Sequence, residues 1–115
     1  MITGAHALLF SEKADEVRAF FRDVLELPSV DSGGGWLIFA LPPAELAVHP
    51  IEGAAKHELY LMCDDLAATI DELKAKGADV AGPVSDEGWG LLTTLSLPGC
   101  LQLGLYEPKH PTAHG

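Results

Sequence analysis

His6 opens the apolar run HALLF, and His57 opens a second such run, HELYLM. Glu45 stands in ELAVHP, and Gln102 stands in the similar QLGLYEP. Between these pairs, GWLIFAL from Gly35 recurs as GWGLLTTL from Gly88. An internal repeat of this period means one supersecondary unit used twice. If the halves meet about a pseudo-twofold axis, His6 falls beside His57 and Glu45 beside Gln102. Two imidazoles and a carboxylate suit a divalent ion such as Fe, Mn, Co, Ni or Zn. With coordination positions left open, a substrate could chelate that ion through adjacent oxygens. The ion would then act as a Lewis acid, stabilising an enediolate or binding dioxygen. Glu45 is the only anionic member, which makes it the candidate catalytic carboxylate. Gln102 is a neutral ligand and cannot serve as a general base.

Strand parity bears on the same residues. In QLGLYE, Leu103 and Leu105 share one face, and Gln102, Gly104 and Tyr106 share the other. In ELAVH, Leu46 and Val48 share one face, and Glu45, Ala47 and His49 the other. The apolar faces are expected to meet helices. The mixed faces are expected to point into a cup, where the small Ala47 and Gly104 leave room for a ligand. Trp36, Trp89, Phe39 and Tyr106 offer a different chemistry, since aromatic rings on facing strands can stack on a flat organic molecule. Structural readings compete throughout: a lone histidine often bonds only backbone, aromatics often fill the core, and Glu45 after Pro-Pro could be a solvated edge residue. His49, His110 and His114 read as surface residues. Glu107 falls on the face opposite Gln102 and reads as a non-ligand.

The elements that must position these residues follow from periodicity. Ile2 to Phe10 reads as a strand. Val17, Phe20, Phe21, Val24 and Leu25 recur at helical spacing and predict a helix near residues 12–26, capped by Ser11 or Asp15 and stopped by Pro28. Trp36 to Leu41 and Glu45 to His49 read as strands, separated by Pro42-Pro43. The second half repeats this order. It has a strand from His57 to Met62, then a helix near 65–76 with Leu66, Ile70 and Leu73 on its buried side and Gly77 as its stop. Strands follow at Val80 to Val84, Gly90 to Leu97 and Leu101 to Tyr106. The expected architecture is a single α+β domain over residues 1–115. It comprises two βαβββ modules, about 1–52 and 53–108, forming a cupped mixed sheet, with a C-terminal tail at 109–115.

Composition narrows the class. A 115-residue chain with 48% apolar residues can build a core without disulfides or structural metal. Seven basic against seventeen acidic residues give a net charge of −10, which excludes a nucleic-acid binder reliant on a basic patch. No apolar run approaches the ~20 residues of a membrane span. Cys63 and Cys100, without CxxC spacing, read as buried reduced thiols. With no basic, apolar leader, a cytoplasmic location is expected.

The repeat, with AHALLF near the start, KHELYLMCDDL at the midpoint and LPGCLQLGLYEP near the end, resembles the vicinal oxygen chelate superfamily of glyoxalases, bleomycin-resistance proteins and extradiol dioxygenases. The resemblance covers nearly the whole chain. It implies metal-ligand positions at His6 and Glu45 in the first module and at His57 and Gln102 in the second. Many similar enzymes carry glutamate where Gln102 stands. It also implies a homodimer and a small oxygenated substrate, turned over by a metal-dependent lyase, isomerase or dioxygenase. The alternative is a non-catalytic protein that sequesters a drug or other small molecule, with Trp36, Trp89 and Tyr106 as ligand-binding residues.

Overall fold

The computed structural model describes residues 6–114. Its first helix, α1 (Ala14–Ala19), runs on into a single π turn over Phe20–Val24. There the N–H of Leu25 bonds back to the carbonyl of Phe20, five residues earlier. Neither Ser11 nor Asp15 caps α1; Lys13 occupies the N-cap position with no side-chain bond. The helix ends ahead of Pro28, at Glu26, whose φ of +56° lets the N–H of Leu27 reach the carbonyl of Phe21. A short hairpin follows, β1 (Ser29–Asp31) against β2 (Leu37–Phe39).

The second module is complete. It comprises β3 (Tyr60–Met62), α2 (Leu66–Ala75), β4 (Asp79–Asp86), β5 (Gly90–Leu97) and β6 (Leu101–Pro108). The four strands form one mixed sheet in the order β3-β6-β5-β4, with β3 parallel to β6 and the other pairs antiparallel. Asp65 caps α2 by accepting the N–H of Ala68, and Glu107 of β6 accepts the N–H of Leu66 at 2.9 Å. Gly77, at φ +90°, lets the N–H of Ala78 close on the carbonyl of Leu73. The Lys76 ammonium bridges the two helix ends by pairing with Glu26 at 2.6 Å. Gly99 is required for space as well as backbone angle. A Cβ there would meet the Ser11 hydroxyl, which donates to the carbonyl of Pro98 and ties the β5–β6 turn to the start of α1.

The core lies between both helices and one sheet face. Val17 and Phe21 of the first helical segment join Leu66, Ile70 and Leu73 of α2 over Leu95, Leu97, Leu103 and Leu105 of β5 and β6. Leu66, Leu95 and Leu103 are fully buried.

Three expectations change. Residues 6–10 of the expected opening strand form no strand, and residues 2–5 of it lie outside the described residues. Residues 45–49 also form no strand, and the apolar residues there meet no helix: Leu46 is 91% and Val48 88% exposed. Both stretches alternate or run apolar, but neither finds a ladder partner among the described residues, and a strand is defined by its partner. Cys63 is half-buried as expected, but Cys100 is exposed in the β5–β6 turn.

Candidate functional site

Side chains of β5 and β6 point to alternate faces, so the leucines that face the helices leave Leu92, Thr94, Gln102 and Gly104 on the opposite face, beside the buried Gly90 and Tyr106. On that face lies a cavity of about 220 Å³, lined by Leu9, His57, Tyr60, Leu92, Thr94 and Gln102. The structure therefore brings His57 and Gln102 together. An unbroken strand from His57 would turn its side chain to the core side with Leu59 and Leu61. The ladder begins only at Tyr60, and His57 reaches the cavity instead.

Tyr60 occupies the space expected to be free. It stands directly opposite Gly104 in the β3–β6 register. A Cβ on Gly104 would lie 2.7 Å from Cδ2 of the Tyr60 ring, so the ring rests on bare backbone. Its hydroxyl donates to Glu58 at 2.7 Å, and Glu58 is paired in turn with Lys56 at 2.9 Å. The Glu58 hydrogen bond, aided by burial, pushes the Tyr60 phenol up to about 12. At neutral pH it is a fixed donor and not a proton shuttle. The Lys56 and Tyr60 bonds hold the Glu58 carboxyl below its ordinary range. Sequence reading passed over Tyr60; an aromatic residue paired across a ladder from glycine was the available signal.

An aromatic row adjoins the cavity. Tyr60 meets Tyr106 edge-on at 5.9 Å, and Trp89 meets Tyr106 edge-on at 5.2 Å. Tyr106 is buried, and its hydroxyl bonds Nε2 of His110 at 3.1 Å. Burial first, and the Glu45 charge second, raise its phenol above the ordinary value. Trp36 is not part of this row; it lies against Arg18 of α1, whose guanidinium sits 5.2 Å from the ring centre.

Glu45 is engaged elsewhere. Oε2 accepts the N–H of Ala113 at 2.8 Å, and Oε1 faces Nε2 of His110 at 3.8 Å. His114 adds a 2.8 Å bond to the carbonyl of Ala44. The tail histidines His110 and His114 are thus fastened to the first module. His6 and His49 are exposed. Glu107 accepts the N–H of Leu66 at the start of α2.

No family model and no curated sequence matches the chain. Solved structures do. TnmS3, an antibiotic binding protein from Streptomyces sp. CB03234, superposes with a TM-score of 0.64 at 22% identity, covering 95% of this chain and 100% of that one. Lactoylglutathione lyase from Agrobacterium tumefaciens gives 0.66 at 17% identity, over 91% and 92% of the two chains. A member of the glyoxalase/bleomycin resistance protein/dioxygenase superfamily from Sphaerobacter thermophilus DSM 20745 gives 0.63 at 18%, over 92% and 98%. This chain has the glyoxalase-like fold.

That glyoxalase-like fold raises the question of a divalent metal. Among the described residues, no three His, Cys, Asp or Glu side chains gather where one ion could bind. The cavity offers the imidazole of His57, the neutral amide of Gln102 and a Glu58 carboxylate already held by Lys56 and Tyr60. This donor set does not fit a divalent metal within one protomer. No helix among the described residues is long and apolar enough to cross a membrane.

Proposed function

We propose that this protein is a small-molecule binding protein of the glyoxalase/bleomycin-resistance type, one domain of two modules. It holds a compact organic ligand on the sheet face opposite its helices. The observation that carries this reading is the cavity between His57, Gln102 and Tyr60, bordered by the Tyr106–Trp89 row. Leu9, Leu92 and Leu101 supply apolar contact, and His57, Thr94 and Gln102 supply hydrogen bonds. The shared fold with an antibiotic binding protein supports it. A cytoplasmic setting accords with the two free cysteines, Cys63 and Cys100. The test is a titration with catechol in EDTA, followed by Trp89 fluorescence. Saturable binding unaffected by chelation is the expected result, and loss of binding on chelation overturns it.

A second reading is a metal-dependent lyase, isomerase or dioxygenase built as a homodimer, with His6 and Glu45 of one copy completing the His57–Gln102 cavity of the other. What favours it is the exposed apolar surface on the segments carrying those two residues: Leu8 is 67% and Phe10 83% exposed, beside the bare Leu46 and Val48. Glu45 would first have to leave the tail. Sedimentation joined to metal analysis of protein purified without chelator separates the readings. A dimer with a stoichiometric first-row metal supports the second; a metal-free protein supports the first.

A further inference from the structure

The cavity is small for its class. About 220 Å³ lies below the ~300–1,000 Å³ typical of pockets for drug-sized ligands. The Tyr60 ring lines it, seated where Gly104 leaves the β6 backbone uncovered. Nothing in the core fixes that ring. It stands on β3, a three-residue strand at the edge of the sheet, and is 37% exposed. Its hydroxyl is anchored to Glu58, itself an exposed residue. Its other close neighbour is the edge of Tyr106.

We propose that Tyr60 is the specificity-determining residue of this cavity: seated on Gly104, its ring limits the site to single-ring ligands, and its removal admits fused-ring ones. The inference rests on the small-molecule reading above. With the ring in place, a ligand meets His57, Gln102, Thr94 and Leu92 beside it. With it gone, the floor over Gly104 and the side of Tyr106 that meets the phenol join the cavity, and a second ring can lie where the phenol lay. Gly104 belongs to the same device. An alanine Cβ at 2.7–3.0 Å from three ring atoms cannot coexist with the seated ring, so Gly104→Ala must move the phenol. The obstruction is a side chain on an edge strand, which can swing away without disturbing the buried leucines.

The test compares catechol with 2,3-dihydroxynaphthalene, two neutral probes with the same vicinal hydroxyls and different ring count, by titration calorimetry. Wild-type protein is expected to prefer catechol at least tenfold. Tyr60→Ala is expected to reverse that preference, whereas Tyr60→Phe, which keeps the ring and loses only the Glu58 bond, keeps it within about threefold. The seat has a ligand-free readout as well. The Gly104 α-proton that takes the Cβ direction points at the ring and should show an upfield ring-current shift, lost in Tyr60→Ala and retained in Tyr60→Phe. If Tyr60→Ala leaves the preference unchanged while both probes bind, the inference falls and the small-molecule reading stands. An unshifted Gly104 signal in wild-type protein also overturns it. If neither probe binds any variant, the small-molecule reading falls and takes the inference with it.

Discussion

The carboxylate of Glu107, near the end of β6, accepts the backbone N–H of Leu66, the first residue of α2, at 2.9 Å. A helix leaves its first N–H groups without intrahelical partners, and Asp65 satisfies only the one on Ala68. Glu107 supplies a second acceptor from a strand 41 residues further along the chain and adds a negative charge at the positive end of the helix. Glu107→Ala should lower unfolding stability by about 1–2 kcal/mol, as loss of an N-cap does. Chemical denaturation checks it. Glu107→Gln, which keeps an acceptor oxygen, should lose less.

The two glycines that face Tyr rings should differ in tolerance. A Cβ on Gly90 would lie 2.8 Å from the backbone oxygen of Glu107, which the β5–β6 ladder holds in place. Gly90→Ala should therefore destabilise by about 1–3 kcal/mol, the range of an overpacked site. Gly104→Ala meets a movable side chain and should cost less. Thermal melts of the two variants give the comparison, and a larger loss for Gly104→Ala would contradict it.

Alkaline pH should weaken the fold through tyrosine. The Tyr60 phenol ionises near 12 when folded against an ordinary value of 10, mainly because its hydroxyl bonds Glu58. An acid whose folded value is raised gives up its proton first in the unfolded chain. Its contribution is complete below pH 10 and is lost as the pH rises toward 12. Tyr106 shifts in the same direction, chiefly through burial. Phenolate absorbance of native protein at pH 10 should thus fall well short of half of both tyrosines, and Tyr60→Phe should flatten the alkaline fall in stability.

The tail should depend on Glu45. Its Oε2 holds the N–H of Ala113, and Oε1 faces His110. Glu45→Ala should speed carboxypeptidase digestion of the last residues several-fold while changing global stability by less than ~1 kcal/mol, since the contact is partly exposed. Glu45→Gln retains an acceptor and should digest at close to the wild-type rate. Equal digestion of all three proteins would show that Glu45 does not hold the tail.

The second module was legible because its signals are local. Gly90 to Leu97 was expected and found as β5, closed by Pro98-Gly99, and the helix near 65–76 was found as α2 between Asp65 and Gly77. Parity in QLGLYE placed Leu103 and Leu105 in the core and Gln102 on the cavity face. HALLF and ELAVH carry comparable strand patterns, yet pairing depends on a neighbour that a sequence window does not contain. The partner of Glu45 lies 68 residues away, in the tail. Gly104 invited a reading of empty space because the residue that fills it, Tyr60, arrives from another strand. His57 and Gln102, matched by the repeat, line one cavity; Trp36 is separated from Trp89 by a contact with Arg18 that spacing does not reveal.

The two-faced pattern of β5 and β6 also bears on how such a chain can change. Leu95, Leu97, Leu103 and Leu105 answer to the helices, while Leu92, Thr94, Gln102 and Gly104 answer to the cavity. Gly90 and Tyr106 apart, substitutions that retune what is held and substitutions that would unfold the protein therefore fall on alternate letters of the same eight-residue strands. A lineage carrying this sheet can exchange one set of letters for another cargo while the other set stays fixed, and a designer can randomise Leu92, Thr94 and Gln102 without touching the odd-numbered leucines of the core.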